Sequence, residues 1–185
     1  MKSLKSLSLL SAIMVSSVLP ITALAYEDII PQVAFDLATH DPNAYILDVR
    51  TEAEWQWVGH PGPNKLGVAD PKKLEEGAGL LNEVVNISYE IEKGGGLVFN
   101  EKFIKHVNKA FRDKPNAILI TICRSGVRSA LAAAALDKAG YEGRVYNTTS
   151  GFEGSADPRG YRTVGGWVKD GLPYSYVGLG YKGDK

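Results

Sequence analysis

Apolar residues in this chain form two continuous short runs and three helical segments. Ala44 to Val49 (AYILDV) and Ala117 to Ile122 (AILITI) are apolar with little alternation, which predicts strands buried on both faces. Pro31 to Thr39 starts with a proline at a first helical position and carries Val33, Leu37 and Ala38, which predicts a short helix. Glu101 to Phe111 spaces Phe103, Ile104, Val107 and Phe111 as one helical face. Val127 to Ala139 is rich in alanine and leucine and stops at Gly140, a good helix terminator.

Weaker signals fill the gaps. Thr51 is placed to cap a short helix through Trp57, with Glu52 and Glu54 in the first turn, where the dipole favours negative charge. Gly59 to Pro63 (GHPGP) breaks any regular element. From Asn64 to Gly96 the pattern predicts irregular surface structure with one short strand near Val84 to Ile87. Arg144 to Tyr146 reads as a strand, Ser150 to Gly166 as a glycine-rich loop, and Trp167 to Leu172 as a last helical turn. Strands that are apolar throughout and alternate with helices imply an α/β sandwich: a central, mostly parallel sheet flanked by helices on both faces. Ligands in such folds bind at the carboxyl ends of the strands, so the segment after AILITI is the first place to look for a site.

The first 25 residues obey a different rule. Lys2 and Lys5 precede a run, Leu7 to Leu24, of apolar and small residues, and Ala23-Leu24-Ala25 has the small-x-small form of a cleavage site. This predicts a secretory signal removed before Tyr26, a mature domain over residues 26–185, and a periplasmic or secreted protein with no stable membrane insertion. The run is short and interrupted by Pro20, unlike a membrane span of ~20 residues. Removing it leaves 19 basic against 21 acidic residues, a net charge of −2. With 44% hydrophobic and 23% charged residues, the 185-residue chain has the composition of one globular domain. No clustered basic excess points to nucleic acid. The three histidines, His40, His60 and His106, are scattered, and none lies in a metal-ligand pattern.

There is one cysteine, Cys123, so no disulfide within the chain is possible. An unpaired thiol in an exported protein is a liability unless it is buried or has a task. Cys123 follows the apolar strand and opens the loop Cys123-Arg124-Ser125-Gly126-Val127-Arg128-Ser129, which runs straight into a helix. Gly126 lets the backbone curl with positive φ, and a curled loop turns several N–H groups inward as an anion-binding nest. The helix adds its positive end, and Arg124 and Arg128 add two cations. Each of these favours a thiolate or persulfide anion at Cys123. Ser125 and Ser129 are candidates to donate hydrogen bonds to the sulfur. Arg128 has two readings: a direct role in the chemistry, or a structural ion pair, with Asp48 at the end of the neighbouring strand as a candidate partner.

Taken in order, these pieces resemble the rhodanese family from about Ile29 to about Tyr176. The matching pieces are Ile46-Leu47-Asp48-Val49-Arg50, then Glu54-Trp55 with Gly59-His60, then Asn86-Ile87. The loop Cys123 to Ser129 follows, and then Gly151-Phe152, Gly165-Gly166-Trp167 and Gly171-Leu172-Pro173. The resemblance implies a sulfurtransferase that needs no cofactor. Cys123 would take the outer sulfur of a small anionic donor such as thiosulfate, hold it as a persulfide, and pass it to a thiol, cyanide or a protein thiol. It implies that Arg124, Ser125, Gly126, Val127, Arg128 and Ser129 bind substrate and that Asp48 and Arg50 support the loop. Two segments depart from the family pattern, residues 61–85 and 155–164, and both are expected to border the site. Related phosphatases and arsenate reductases place five residues between cysteine and arginine. Here four separate Cys123 from Arg128, a shorter cradle better matched to a sulfane sulfur than to a phosphate. A docking module that delivers sulfur only to a specific exported protein is the alternative reading.

Overall fold

Leu47 pairs with Thr121 on one side and Val85 on the other, and this register fixes the centre of the molecule. The computed structural model describes residues 26–62, 81 and 83–176. In chain order the elements are β1 (Tyr26–Ile29), α1 (Pro31–His40), β2 (Ala44–Asp48), α2 (Glu52–Val58), β3 (His60–Pro61) and β4 (Val84–Asn86). There follow β5 (Glu90–Lys93), β6 (Gly96–Phe99), α3 (Phe103–Ala110), β7 (Ile118–Ile122), α4 (Val127–Lys138) and β8 (Val145–Thr148). β9 (Ser155–Ala156), β10 (Arg162–Val164) and β11 (Tyr174–Ser175) are the last elements among the described residues. Five strands form a parallel sheet in the order β1-β8-β7-β2-β4.

Side chains alternate across this sheet and create two cores. Tyr45, Leu47, Val49 and Leu119 face Phe103 and Val107 of α3 and Ala132, Ala133 and Leu136 of α4. Ala44, Ile46, Ile120 and Ile122 face Ala34 and Ala38 of α1, Trp55 of α2, and Phe152 and Trp167 of the carboxyl-terminal segment. The strands carry no polar alternation because both faces are covered. Thr121 is the polar residue within the central strand. Its hydroxyl is shared between the carbonyls of Ser129 and Tyr146, both at 3.0 Å, which satisfies it and ties β7 to α4 and β8.

Several sequence expectations need correction. The weak stretch before Gly96 contains a hairpin, β5–β6, closed by Gly94-Gly95 with positive φ at both positions (62° and 83°). That is the requirement of the tight hairpin turn whose twist matches the strands. β1 was not expected, because Tyr26-Glu27-Asp28 is polar, but it is an edge strand held to β8. The loop after Ser150 contains the small β9–β10 ladder. Trp167 to Leu172 is a run of turns rather than helix, folded back so that the Trp167 indole donates to the Pro173 carbonyl at 2.8 Å. The expected signal segment and most of the segment expected to depart at 61–85 lie outside the described residues. Among the described residues, no helix is long and apolar enough to cross a membrane.

Candidate active site

β7 is the middle strand of the sheet, and Cys123 is the first residue past its carboxyl end. The following loop must reverse direction within three residues before α4 begins at Val127. Gly126 does this with φ 97°, and a side chain there would press on the backbone of Thr148 and Ser150. The reversal points the Gly126 N–H back at the sulfur, 3.2 Å from Cys123 Sγ. Ser129, one turn into α4, places its hydroxyl 3.3 Å from Sγ and 3.0 Å from the Gly126 carbonyl. Cys123 is 1% exposed, yet its thiol meets polar donors rather than apolar packing alone.

The carboxyl-terminal segment holds this shape from outside. Phe152 N–H donates to the Cys123 carbonyl at 2.7 Å, and Glu153 N–H donates to the Arg124 carbonyl at 3.0 Å. Fixing these carbonyls outward supports the turn that points the Gly126 N–H at the sulfur. The contact is possible only because residue 151 is glycine: a Cβ there would lie 2.7 Å from the Ser125 nitrogen.

Arg128 does not pair with Asp48. It donates to Glu54 through both terminal nitrogens, at 2.7 and 2.9 Å, and its Nε lies 3.8 Å from Glu90. Glu54 is held for this by a capping box: the Thr51 N–H donates to its carboxylate while Thr51 Oγ accepts from the Glu54 N–H. Burial alone would raise the Glu54 pKa, but the Arg128 and Thr51 hydrogen bonds outweigh it and hold the carboxylate below its ordinary value. Burial would lower the Arg128 pKa, yet Glu54 first, then the charges of Cys123 and Glu90, lift it above the usual value.

Asp48 and Arg50 are instead a fully buried pair of their own, 2.6 Å apart, at the end of β2. Burial opposes the Arg50 charge, and Asp48 overcomes it and raises the Arg50 pKa. The guanidinium also donates to the Gly59 carbonyl at 2.7 Å and lies 4.2 Å from the centre of the Phe152 ring. Asn86 donates to the carbonyls of Asp48 and Arg50, and the ring of His60 stacks on Trp55 at 3.7 Å. These residues build the floor beneath the loop and do not line its opening.

A cleft of about 860 Å³ opens at Cys123. Arg124, Ser125, Val127 and Arg128 form one wall, Thr51 and Glu54 the base, and the β5–β6 hairpin the other wall. Arg124 is exposed and makes no ion pair among the described residues; Ser125 lines the cleft without a hydrogen bond to the sulfur. Sequence reasoning missed Glu54 and Glu90 as site residues. The Thr51-x-x-Glu54 capping box and the Lys93-Gly94-Gly95-Gly96 turn were the available signals.

The family model described as the rhodanese-like domain matches residues 33–157. The uncharacterized protein RC0915 of Rickettsia conorii is 32% identical over 153 residues, 83% of this chain and all of that one. The crystal structure of Rv0390 from M. tuberculosis aligns with a TM-score of 0.60 at 34% identity, over 82% of this chain and 98% of that chain. The polysulfide-sulfur transferase homodimer from Wolinella succinogenes aligns over 82% of this chain and 79% of that chain, at 16% identity and a TM-score of 0.45.

Proposed function

The chain belongs to the rhodanese-like family, and on that premise we propose that it is a sulfurtransferase carrying sulfane sulfur as a persulfide on Cys123. One observation carries the reading: the lone thiol sits at the end of the central strand with the Gly126 N–H and the Ser129 hydroxyl aimed at it. Such donors stabilise negative charge on sulfur in the thiolate and in the persulfide alike.

In the first step the Cys123 thiolate attacks the outer sulfur of a donor such as thiosulfate. A new S–S bond forms, the donor's S–S bond breaks, and sulfite leaves with the electron pair. In the second step a thiolate or cyanide attacks the terminal sulfur and the Cys123 thiolate departs, ready for another cycle. The loop's own groups need only hold charge on sulfur, because no proton has to move at Cys123 in either step. A phosphatase reading is disfavoured by Arg128, whose fork is already filled by Glu54 and is not free to clamp a phosphate.

A second reading is favoured by the same pair. With Arg128 neutralised by Glu54, only Arg124 on the loop is free to meet an anionic donor. Turnover on free thiosulfate is then slow, and transfer to a specific protein thiol is the main activity. Intact mass spectrometry tests the persulfide. Thiosulfate should add the mass of one sulfur atom, cyanide should remove it, and Cys123→Ser should never gain it. A Cys123→Ser protein that gained it, or a wild-type protein that did not, would overturn the reading.

A further inference from the structure

The cleft at Cys123 is much larger than a thiosulfate ion, and its rim is greasy. Val58 at the end of α2, Leu97 on β6, and Val127 and Leu131 on α4 all line it, at 37%, 50%, 70% and 52% exposure. Val127 and Leu131 are one helical turn apart and share a face. Four large apolar side chains from three elements, left exposed around one buried nucleophile, mark an interaction surface rather than scattered surface residues. A small apolar thiol would be served by an enclosed pocket that covers most of its surface. Here the apolar groups stand on an open rim, which suits a chain segment crossing the cleft.

The charges refine the choice. In the β5–β6 ladder, Glu90 opposes Phe99 and Glu92 opposes Leu97, so both carboxylates and Leu97 share the hairpin face. Glu90 leans on Arg128, whereas Glu92 has no ion pair among the described residues. The hairpin wall therefore offers Leu97 beside an unpaired carboxylate. Lys93 and Arg124 make no ion pair among the described residues, but Lys93 opposes Gly96 and so lies on the other face of the hairpin, and Arg124 stands on the cysteine loop, which leaves Glu92 as the unpaired charge on the face of Leu97.

We propose that the sulfur acceptor is a cysteine in a protein segment whose flanking residues are apolar and basic, seated on Val58, Leu97, Val127 and Leu131 with its positive charge toward Glu92. This rests on the persulfide reading above. The apolar flanks bury the rim, the basic residue meets the hairpin carboxylate, and the cysteine thiolate is brought to the terminal sulfur. The bond from that sulfur to Cys123 breaks as the new S–S bond forms, and Cys123 leaves as thiolate.

The test uses enzyme loaded with thiosulfate and three synthetic peptides, each with one cysteine, flanked by Leu and Lys, by Leu and Glu, or by Ser and Lys. Cyanide is the reference acceptor. The Leu/Lys peptide should discharge the persulfide with a kcat/KM about tenfold above the Ser/Lys peptide, the effect of burying part of two leucine-sized groups. The Leu/Glu peptide should fall between them or below. Leu97→Ser combined with Leu131→Ser should erase the preference while the cyanide rate stays at the wild-type value. Equal rates for all three peptides on enzyme that cyanide discharges normally would overturn the docking inference alone. Enzyme that never acquires cyanide-labile sulfur would overturn the persulfide reading and this inference with it.

Discussion

The two walls of the cleft at Cys123 are built by opposite rules. The Cys123 loop is over-determined: its carbonyls are tied to Phe152 and Glu153, its bend is pressed against Thr148 and Ser150, and Cys123 is 1% exposed. The β5–β6 hairpin stands free. Gly94, Gly95 and Gly96 have nothing within 4 Å of where a side chain would project, and every residue of β6 is exposed. It is attached at its base by Tyr89, edge-on to Phe99 and Phe103, and by Glu90 leaning on Arg128. An isolated two-stranded ribbon is marginal in water, so this wall can open at low cost. Charge on a sulfur is stabilised best by donors held in place, whereas a surface for the proposed protein acceptor would gain from yielding.

The sharpest way to break this contrast is to make the same change on each side. Gly151→Ala must place a methyl group against the loop backbone at a φ of 58°. It should cost about 2–4 kcal/mol, by strain and collision together, and should abolish persulfide formation. Urea denaturation and intact mass measure the two effects. A smaller loss is expected from Arg128→Ala. Its partner Glu54 is 20% exposed in the side chain, so removing the cation leaves a mostly buried carboxylate and should cost about 1–3 kcal/mol. Arg124→Ala, at an exposed residue with no ion pair among the described residues, should leave the melting temperature unchanged and raise KM for anionic donors. The Glu54 pKa is depressed in the folded protein, so its contribution to stability is present above the ordinary value of 4.5 and lost as the pH falls through the folded value. Glu54→Gln should therefore flatten the acid limb of stability against pH; an unchanged acid limb would show that Glu54 does not hold Arg128 by charge. The smallest effect should come from Gly95→Ala in the hairpin. The φ there is 83° with open space around it, so the cost is backbone strain alone, about 1 kcal/mol. It should speed hydrogen exchange in β5 and β6 and leave the global melting temperature unmoved.

The same division explains what was legible in the sequence. The core strands, α1, α3 and α4 announce themselves because continuous apolar runs and helical spacing are local patterns, and their limits were read to within two residues. Cys123, Gly126 and the helix after them were legible as a unit because the loop's chemistry is contiguous. The partner of Arg128 was not. Glu54 lies 74 residues away and reaches Arg128 because a capping box turns it toward α4, while Asp48 is taken by Arg50, two residues along its own chain. Proximity of strand ends suggested Asp48, and local hydrogen-bond geometry decided otherwise. The hairpin was missed because Ile91, Leu97, Val98 and Phe99 sit among glutamates and glycines, and exposed apolar residues blur the periodicity that a buried face would have sharpened.

The position of β1 bears on the order of assembly. Tyr26 pairs with Val145, and Asn147 donates to Asp28 at 2.7 Å, so the first described strand finds its place only after most of the chain has emerged. The two residues that fix the cysteine loop from outside, Phe152 and Glu153, come later still. Contacts of such sequence separation slow folding, because a long loop must close before they form. Until then the loop that carries the single thiol lacks the two bonds that hold its carbonyls. The shape that aims donors at Cys123 is thus completed by the last part of the domain to be made.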